Sequence, residues 1–295
     1  MITKLFLFTA SLLLLACSND DKNIQPEEQN IELKIKSYVE RGVDENGNLN
    51  GDDKEWFFDE SGKIEQRRIA EIFYSDVRII DYAYNNLDQI IEHKTTFLNS
   101  SGFATLKYYY DSEKKLDYIS EILEQGVRDT ILDLIHTPDT IKIIFSPSDL
   151  KILIFENNIL KQINEEGDLG YYGEEMITYD GSQNIIDRTI TGNSSTGNDF
   201  YSIYEYEYDD KVNPLYPYFN EHPLNFLEQP TFSLNYYAPF ISPNNFTKYS
   251  FVTDYAPDRN FIITRDFQYN NDGYPVSSEI KKNGVLISKG SYEYY

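Results

Sequence analysis

The chain has 295 residues, with 49 acidic against 26 basic side chains and a formal net charge of −23. That excess repels phosphate backbones and anionic headgroups, so nucleic acid is excluded as a partner. An apolar content of 40% argues against disorder, and 26 Tyr against one Trp favour pleated, half-buried surfaces.

The N-terminus reads as a targeting segment. Met1 to Lys4 is a short basic head, and Leu5 to Leu15 is an apolar run broken only by Thr9 and Ser11. The run is too short to cross a bilayer and has the length of a signal-peptide core. It leads into Leu14-Leu15-Ala16-Cys17, which resembles the lipobox of a bacterial lipoprotein. The resemblance implies that residues 1–16 are removed and that Cys17 is acylated. Cys17 is the only cysteine, so no disulfide forms within one chain. Each buried acyl methylene contributes about 0.8 kcal/mol, so several chains on Cys17 anchor the protein durably to a membrane. Residues 17–30 carry almost no apolar side chain and read as a flexible acidic tether. Asp20-Asp21 resembles the export signal of surface lipoproteins in Bacteroidota-type bacteria. That implies an outer-membrane anchor facing the cell exterior; a periplasm-facing tether is the alternative.

Residues 31–295 form one all-β unit built from a recurring pattern. An aromatic residue is followed by an acidic or amide residue, a few loop residues and then an apolar or Pro position. The last aromatics of the copies are Phe58, Tyr84, Tyr110, Phe155, Tyr179, Tyr208 and Tyr269. The spacing holds two strands and two turns, so each copy is a β-hairpin and the whole an antiparallel meander. Alternation puts Tyr204, Tyr206 and Tyr208 on one face and acids on the other. The Asp or Asn after the aromatic starts the turn, and Gly62 or Gly273 supplies positive φ. Ile69 to Ile80 has the best helical spacing, but its β-branched and aromatic content favours strand. Closure into a barrel-like form removes the sticky edges of a large Tyr-rich sheet. A transmembrane barrel is not expected, because charged residues lie opposite the aromatics.

Two stretches depart from the pattern. Ile141 to Phe145 and Ile152 to Phe155 read as a hairpin buried on both faces, in the middle of the sheet. Residues 214–245 carry Pro at 214, 217, 223, 230, 239 and 243, and read as a long loop over one edge or end. Loops concentrate function, so Tyr216, Tyr218, Phe219, Tyr236, Tyr237 and Phe240 form the candidate binding surface. The alternative is that these aromatics plug the end of the sheet or barrel.

The repeat resembles the YD-type hairpin repeats of secreted bacterial proteins. More closely, it is similar to Bacteroidota lipoproteins of unknown function whose domain has been described as porin-like. The residues that carry this are Tyr206 to Pro214, Asn244-Asn245-Phe246-Thr247-Lys248 and Tyr269 to Pro275. The resemblance implies a porin-like β domain and no established activity.

Signatures of chemistry are sparse. His93, His136 and His222 are far apart with no metal spacing, and there is no GxSxG or phosphate loop. No cofactor is expected. Asp44, Asn46, Asn48 and Asp52 place oxygen ligands at Ca²⁺-loop intervals, but Phe57 stands where a bidentate Glu belongs; a hydrophilic hairpin loop is the competing reading. Asp129-Thr130-Ile131 and Asp139-Thr140-Ile141 resemble the O-glycosylation acceptor of Bacteroidota-type envelopes, which marks Thr130 and Thr140. The expectation is a non-enzymatic surface lipoprotein that binds a glycan, peptide or protein. The alternatives are a periplasm-facing lipid carrier or assembly factor, favoured by a wide empty apolar interior, and a glycan-acting hydrolase.

Overall fold

The computed structural model describes residues 33–295, apart from 72–75, 101, 124–125, 147–148, 158, 168–171, 194–197 and 222–240. Strands occupy nearly all of it. The first nine are β1 (Ile35–Val43), β2 (Leu49–Phe58), β3 (Ile64–Glu71), β4 (Asp76–Tyr84), β5 (Ile90–Phe97), β6 (Phe103–Tyr110), β7 (Leu116–Leu123), β8 (Gly126–His136) and β9 (Thr140–Ser146). The rest are β10 (Asp149–Glu156), β11 (Ile159–Glu166), β12 (Tyr172–Tyr179), β13 (Ile185–Asn193), β14 (Asp199–Val212), β15 (Asn244–Thr253), β16 (Phe261–Tyr269), β17 (Pro275–Lys282) and β18 (Val285–Tyr294). A short helix α1 (Tyr216–Glu221) follows β14, and a 3₁₀ turn (Pro257–Arg259) precedes β16.

Every strand pairs antiparallel with the next in sequence, and β18 pairs back onto β1 through Ile35↔Tyr294, Tyr38↔Tyr292 and Glu40↔Gly290. The expected meander is therefore a closed up-and-down barrel of 18 strands, without a free edge. The segment Ile69 to Ile80 is strand on both sides of residues 72–75. The hairpin β9–β10 forms, but its expected burial on both faces does not. Only Ile143 and Leu153 are buried in it, because a single-layered closed wall packs one face alone.

The up-and-down path gives the barrel two ends. The chain enters β1 and leaves β18 at one, called here the entry end; the β1–β2 turn lies at the other, the far end. Five entry-end turns are built alike. At Asp59 the backbone N–H donates to Lys63 O, Gly62 N–H donates to Asp59 O, and Asp59 Oδ1 accepts the amides of Ser61 and Lys63. Asn85, Asp111, Asp180 and Asn270 repeat all four bonds. This is a type I turn closed by one residue in the left-handed region. Gly62 and Gly273 fill that position as expected, but Asp88, Lys114 and Gln183 also adopt it, with φ of 63°, 66° and 69°. The register shifts at the residue before each turn: Phe58, Tyr84, Tyr110, Tyr179 and Tyr269. The extra residue, Glu65, Ile91, Asp117, Ile186 or Val276, lies in the return strand, so the aromatic pairs directly with the residue that opens that strand.

The inward tyrosines do not keep their hydroxyls in water, as composition suggests. Five of them donate to the backbone carbonyl of a residue at the start of the return strand of the preceding repeat. Tyr84 reaches Ile64 O (2.8 Å), Tyr110 reaches Ile90 O (2.7 Å) and Tyr179 reaches Leu160 O (2.7 Å). Tyr208 reaches Ile185 O (2.8 Å), and Tyr294 reaches Pro275 O (2.8 Å). Between Tyr110 and Phe155 the same place is taken by His136, whose Nε2 lies 2.6 Å from Leu116 O. Positions 58, 84, 110 and 136 are evenly spaced, so the first irregular gap in the aromatic pattern hides a histidine copy. Tyr295 extends the pattern over the closure, donating to Phe58 O at 2.6 Å.

The inward face is packed. Tyr38, Phe58, Ile64, Ile90, Ile119, Leu132, Ile143, Ile163 and Ile185 are almost inaccessible. A circular barrel of this strand number leaves an aqueous channel; here the interior is a core. The outward face carries cross-strand ion pairs, among them Lys248–Glu207 and Lys281–Asp266, both at 2.6 Å.

Candidate functional site

The repeat is interrupted once, between β14 and β15 at the entry end. Both roots of this excursion are pinned by amides and one serine. Asn213 accepts from Leu215 N–H through Oδ1 (3.1 Å) and donates through Nδ2 to Ser242 O (2.9 Å). Asn245 Nδ2 donates to Val212 O (3.1 Å). Asn184 and Asn244 are joined twice, Nδ2 to Oδ1 and N to Oδ1, each at 3.0 Å. Ser242 Oγ accepts from Ile185 N–H and meets the Tyr208 hydroxyl (2.9 Å). Ser242, Asn184, Asn213 and Asn245 are all buried. Buried polar groups hold a unique geometry only when each finds a partner, and these do. The Asn-Pro and Asn-Asn motifs thus fix where the excursion leaves and rejoins the wall. Asn184 and Ser242 escaped sequence reasoning. Asn184 looks like an ordinary turn residue, and Ser242 has no periodic signal.

The outgoing leg turns into the barrel. Leu215 and Tyr218 are buried, and the Tyr218 ring meets Phe58 edge-on at 5.7 Å. Tyr218 is thereby part of the plug at the entry end. Tyr216 is half-buried, and burial raises its hydroxyl pKa. Phe219 lies within α1. Tyr236, Tyr237, Phe240 and His222 lie outside the described residues, as does Cys17 with its tether.

Two arginines sit in the interior. Arg188 on β13 is 1% exposed, pairs with Glu175 and donates to the Tyr206 hydroxyl (3.0 Å), with its guanidinium 4.8 Å over the Tyr204 ring. Arg265 on β16 is also buried. It donates to the hydroxyls of Tyr38 (2.6 Å) and Tyr292 (2.8 Å) and to Ser278 Oγ (3.2 Å). The rings of Tyr38, Phe246, Phe267 and Tyr292 lie 5.0–6.0 Å from its guanidinium carbon. Tyr38 passes a hydrogen bond to Glu40 (2.6 Å), and Ser288 donates to the other Glu40 oxygen (3.3 Å). This network spans β16, β17, β18 and β1, across the closure of the barrel. Gly290 makes it possible, since a Cβ there would lie 2.4 Å from Ser278 Oγ.

The remaining candidate residues are dispersed. Asp44 to Asn48 forms a sixth copy of the type I turn, at the far end, with Asp44 Oδ1 accepting the amides of Asn46 and Asn48. Asp52 lies on β2, with its Cβ packed where a Gly42 side chain would point. Thr130 lies in β8, and Thr140 opens β9 with its Oγ1 2.6 Å from Thr137 Oγ1. His93 is buried against Tyr82, with Nε2 3.2 Å from Thr95 Oγ1. Among the described residues no three His, Cys, Asp or Glu side chains gather as a metal site.

No protein-family model matches the chain, and neither does any curated protein. Among solved structures it is similar to a porin-like protein from Bacteroides vulgatus ATCC 8482, at 9% identity and a TM-score of 0.38, covering 90% of this chain and 99% of that one. It is also similar to a porin-like protein from Bacteroides uniformis ATCC 8492, at 12% identity and a TM-score of 0.40, covering 88% of this chain and 96% of that one.

Proposed function

We propose that the protein is a non-enzymatic binding module, anchored to the outer membrane through acylated Cys17 and facing the cell exterior. The observation that carries the binding reading is the packed interior. Tyr38, Ile119, Ile143 and Ile185 are fully inaccessible, and Leu215 with Tyr218 fills the entry end. A lipid carrier needs an empty apolar interior, so this packing speaks against that alternative. The paired charges of the outer wall are unsuited to acyl chains, which favours attachment by a lipid on the tether over insertion of the barrel. Recognition then falls to the stretch between β14 and β15, which contains Tyr216, Phe219, Tyr236, Tyr237 and Phe240, with a glycan, peptide or protein as the ligand.

The test uses the full chain in a Gram-negative host with labelled palmitate. The wild type takes up label and is removed by protease shaving of intact cells; Cys17→Ser takes up none and leaves the membrane fraction. A wild type that stays unlabelled, or one untouched by shaving, overturns the anchoring or the exterior placement respectively. A glycan and protein array probed with the full chain should give a signal that Tyr236→Ala with Tyr237→Ala abolishes.

A further inference from the structure

The hairpin β9–β10 is apolar on both faces, yet the closed wall covers only one. Ile143 and Leu153 point inward and are buried. Alternation points Ile144, Ile152 and Ile154 outward. Their surroundings on the outer face are apolar as well. Leu150 lies opposite Ile144, Ile135 on β8 lies opposite Lys142, and Met176 on β12 is joined to Ile154 through Gln162. Ile135 and Met176 are 52% and 46% exposed, and the other four are half-buried. At the edge of the patch the polar groups bond one another: Gln162 Nε2 donates to Asn164 Oδ1 (2.8 Å) and to Glu174 Oε1 (2.7 Å). Covering them therefore strands few groups without partners.

The opposite side of the outer wall is charged. Arg41 pairs with Asp53 (2.6 Å) and Glu55 (3.1 Å), Arg68 with Glu55 (3.4 Å), Lys248 with Glu207 and Lys281 with Asp266. These pairs lie on the strands that run from β14 through β18 to β3. Among the described residues no ion pair joins outward side chains of β9 to β12; the pair Lys151–Glu165 lies on the inward face, in step with Leu153 and Ile163.

We propose that the outer wall of β8–β12 is the interface of a symmetric dimer, packed face to face against the same wall of a second copy. A closed barrel has no free edge to extend, so two copies meet through their walls or their loops. A chain of net charge −23 repels its own kind, and contact is favoured where the surface is apolar and charge is sparse. Lys142, between Ile135 and Ile152, can lay its stem along the patch and carry its charge to the rim. Five strands at about 4.8 Å spacing, each of about eight residues at about 3.4 Å, give a face of about 24 by 27 Å. Two copies then bury about 1,300 Å², above the total of about 1,000 Å² that a specific interface needs. The proposal concerns different residues from those between β14 and β15, so it and the binding reading can fail separately.

The purified full chain is run in sedimentation velocity over a wide range of concentration. Its average mass should rise from one chain to two, and association should tighten as NaCl screens the like charges. Ile144→Glu with Ile152→Glu places carboxylates in both halves of the interface and should raise Kd about a hundredfold. Val252→Glu is the control: Val252 is 50% exposed on β15, in the charged sector, and this variant should associate as the wild type does. A wild type that stays monomeric leaves the face to a foreign partner or a lipid surface, and overturns the proposal. So does a dimer that survives Ile144→Glu with Ile152→Glu, one that Val252→Glu weakens as much, or one that loosens as salt rises. Should the double variant lose its strand circular dichroism, Ile135→Glu and Met176→Glu take its place, and each should raise Kd about tenfold. An array signal from a chain that remains monomeric sinks the dimer and leaves the binding reading intact.

Discussion

The hydroxyl clamps are the joints of the repeat, and removing them should weaken the barrel in countable steps. Tyr110→Phe deletes one hydrogen bond of 2.7 Å to Ile90 O and leaves the ring packed. A hydrogen bond of this kind contributes about 1 kcal/mol net, and somewhat more where the acceptor is then left short of a partner. For a domain of this size that shifts the melting midpoint by about 2–4 °C. Tyr179→Phe and Tyr294→Phe remove the equivalent bonds to Leu160 O and Pro275 O. The three joints share no partner, so the triple variant should lose about 3 kcal/mol and about 6–12 °C. The control is Tyr109→Phe. Tyr109 is 38% exposed on the outer wall, and its ring stacks on Tyr118 at 4.3 Å. Among the described residues its hydroxyl has no hydrogen-bond partner, so this variant should melt with the wild type. Urea midpoints at constant slope give the same comparison free of heat-capacity effects. If Tyr109→Phe loses as much as Tyr110→Phe, or the triple variant no more than a single one, the joints carry no energy of their own.

Three further outcomes follow from the same geometry. Burial pushes the Tyr110 hydroxyl up to about 12 and raises Tyr179 and Tyr294 as well, mainly by desolvation. A group with a raised folded pKa contributes stability that is complete below its unfolded value, near 10, and is lost as pH rises through the folded one; melting midpoints should therefore fall from about pH 10 upward, and less steeply in the triple Phe variant. Asp111→Asn should melt within about 0.5 kcal/mol of wild type, because Asn85 and Asn270 hold the same turn, whereas Asp111→Ala loses two amide acceptor bonds and about 1–3 kcal/mol. Gly290→Ala forces a Cβ to within 2.4 Å of Ser278 Oγ and 3.3 Å of Arg265 Nη2, so it should destabilise by about 1–3 kcal/mol and raise hydrogen exchange selectively in β1, β17 and β18.

Much of this fold was legible because one pattern carries three pieces of local chemistry. The aromatic marks a bulge, the Asp or Asn caps the turn, and the apolar residue opens the return strand. Each is a short-range effect of residue type, so each recurs visibly along the sequence. What stayed hidden depends on contacts between distant repeats. His136 breaks the aromatic pattern although it makes the same joint, because the joint needs only a donor of the right reach and not a phenol. The acids and amides of Asp44 to Asn48 suggested metal ligands as readily as a turn. Which backbone amides Asp44 Oδ1 accepts, those of Asn46 and Asn48, is seen only once the chain is folded. Ser242 carries the root of the excursion from a stretch with no period at all.

The two interior arginines show how closure is specified once the repeat has formed. Identical hairpins add one to the next without indicating where to stop, since every strand offers the same edge. A side chain that joins the first strand to the last breaks that degeneracy. Arg265 does so, reaching from β16 to Tyr38 on β1 and Tyr292 on β18, while Ser288 meets Glu40 across the same join. Replacing a buried polar network by apolar groups of equal volume often leaves stability unchanged or raises it. Stability alone therefore gives weak reason to keep a guanidinium at Arg265 without a carboxylate beside it. Register and closure give a better one, because a fork of donors fixes which tyrosines must face each other.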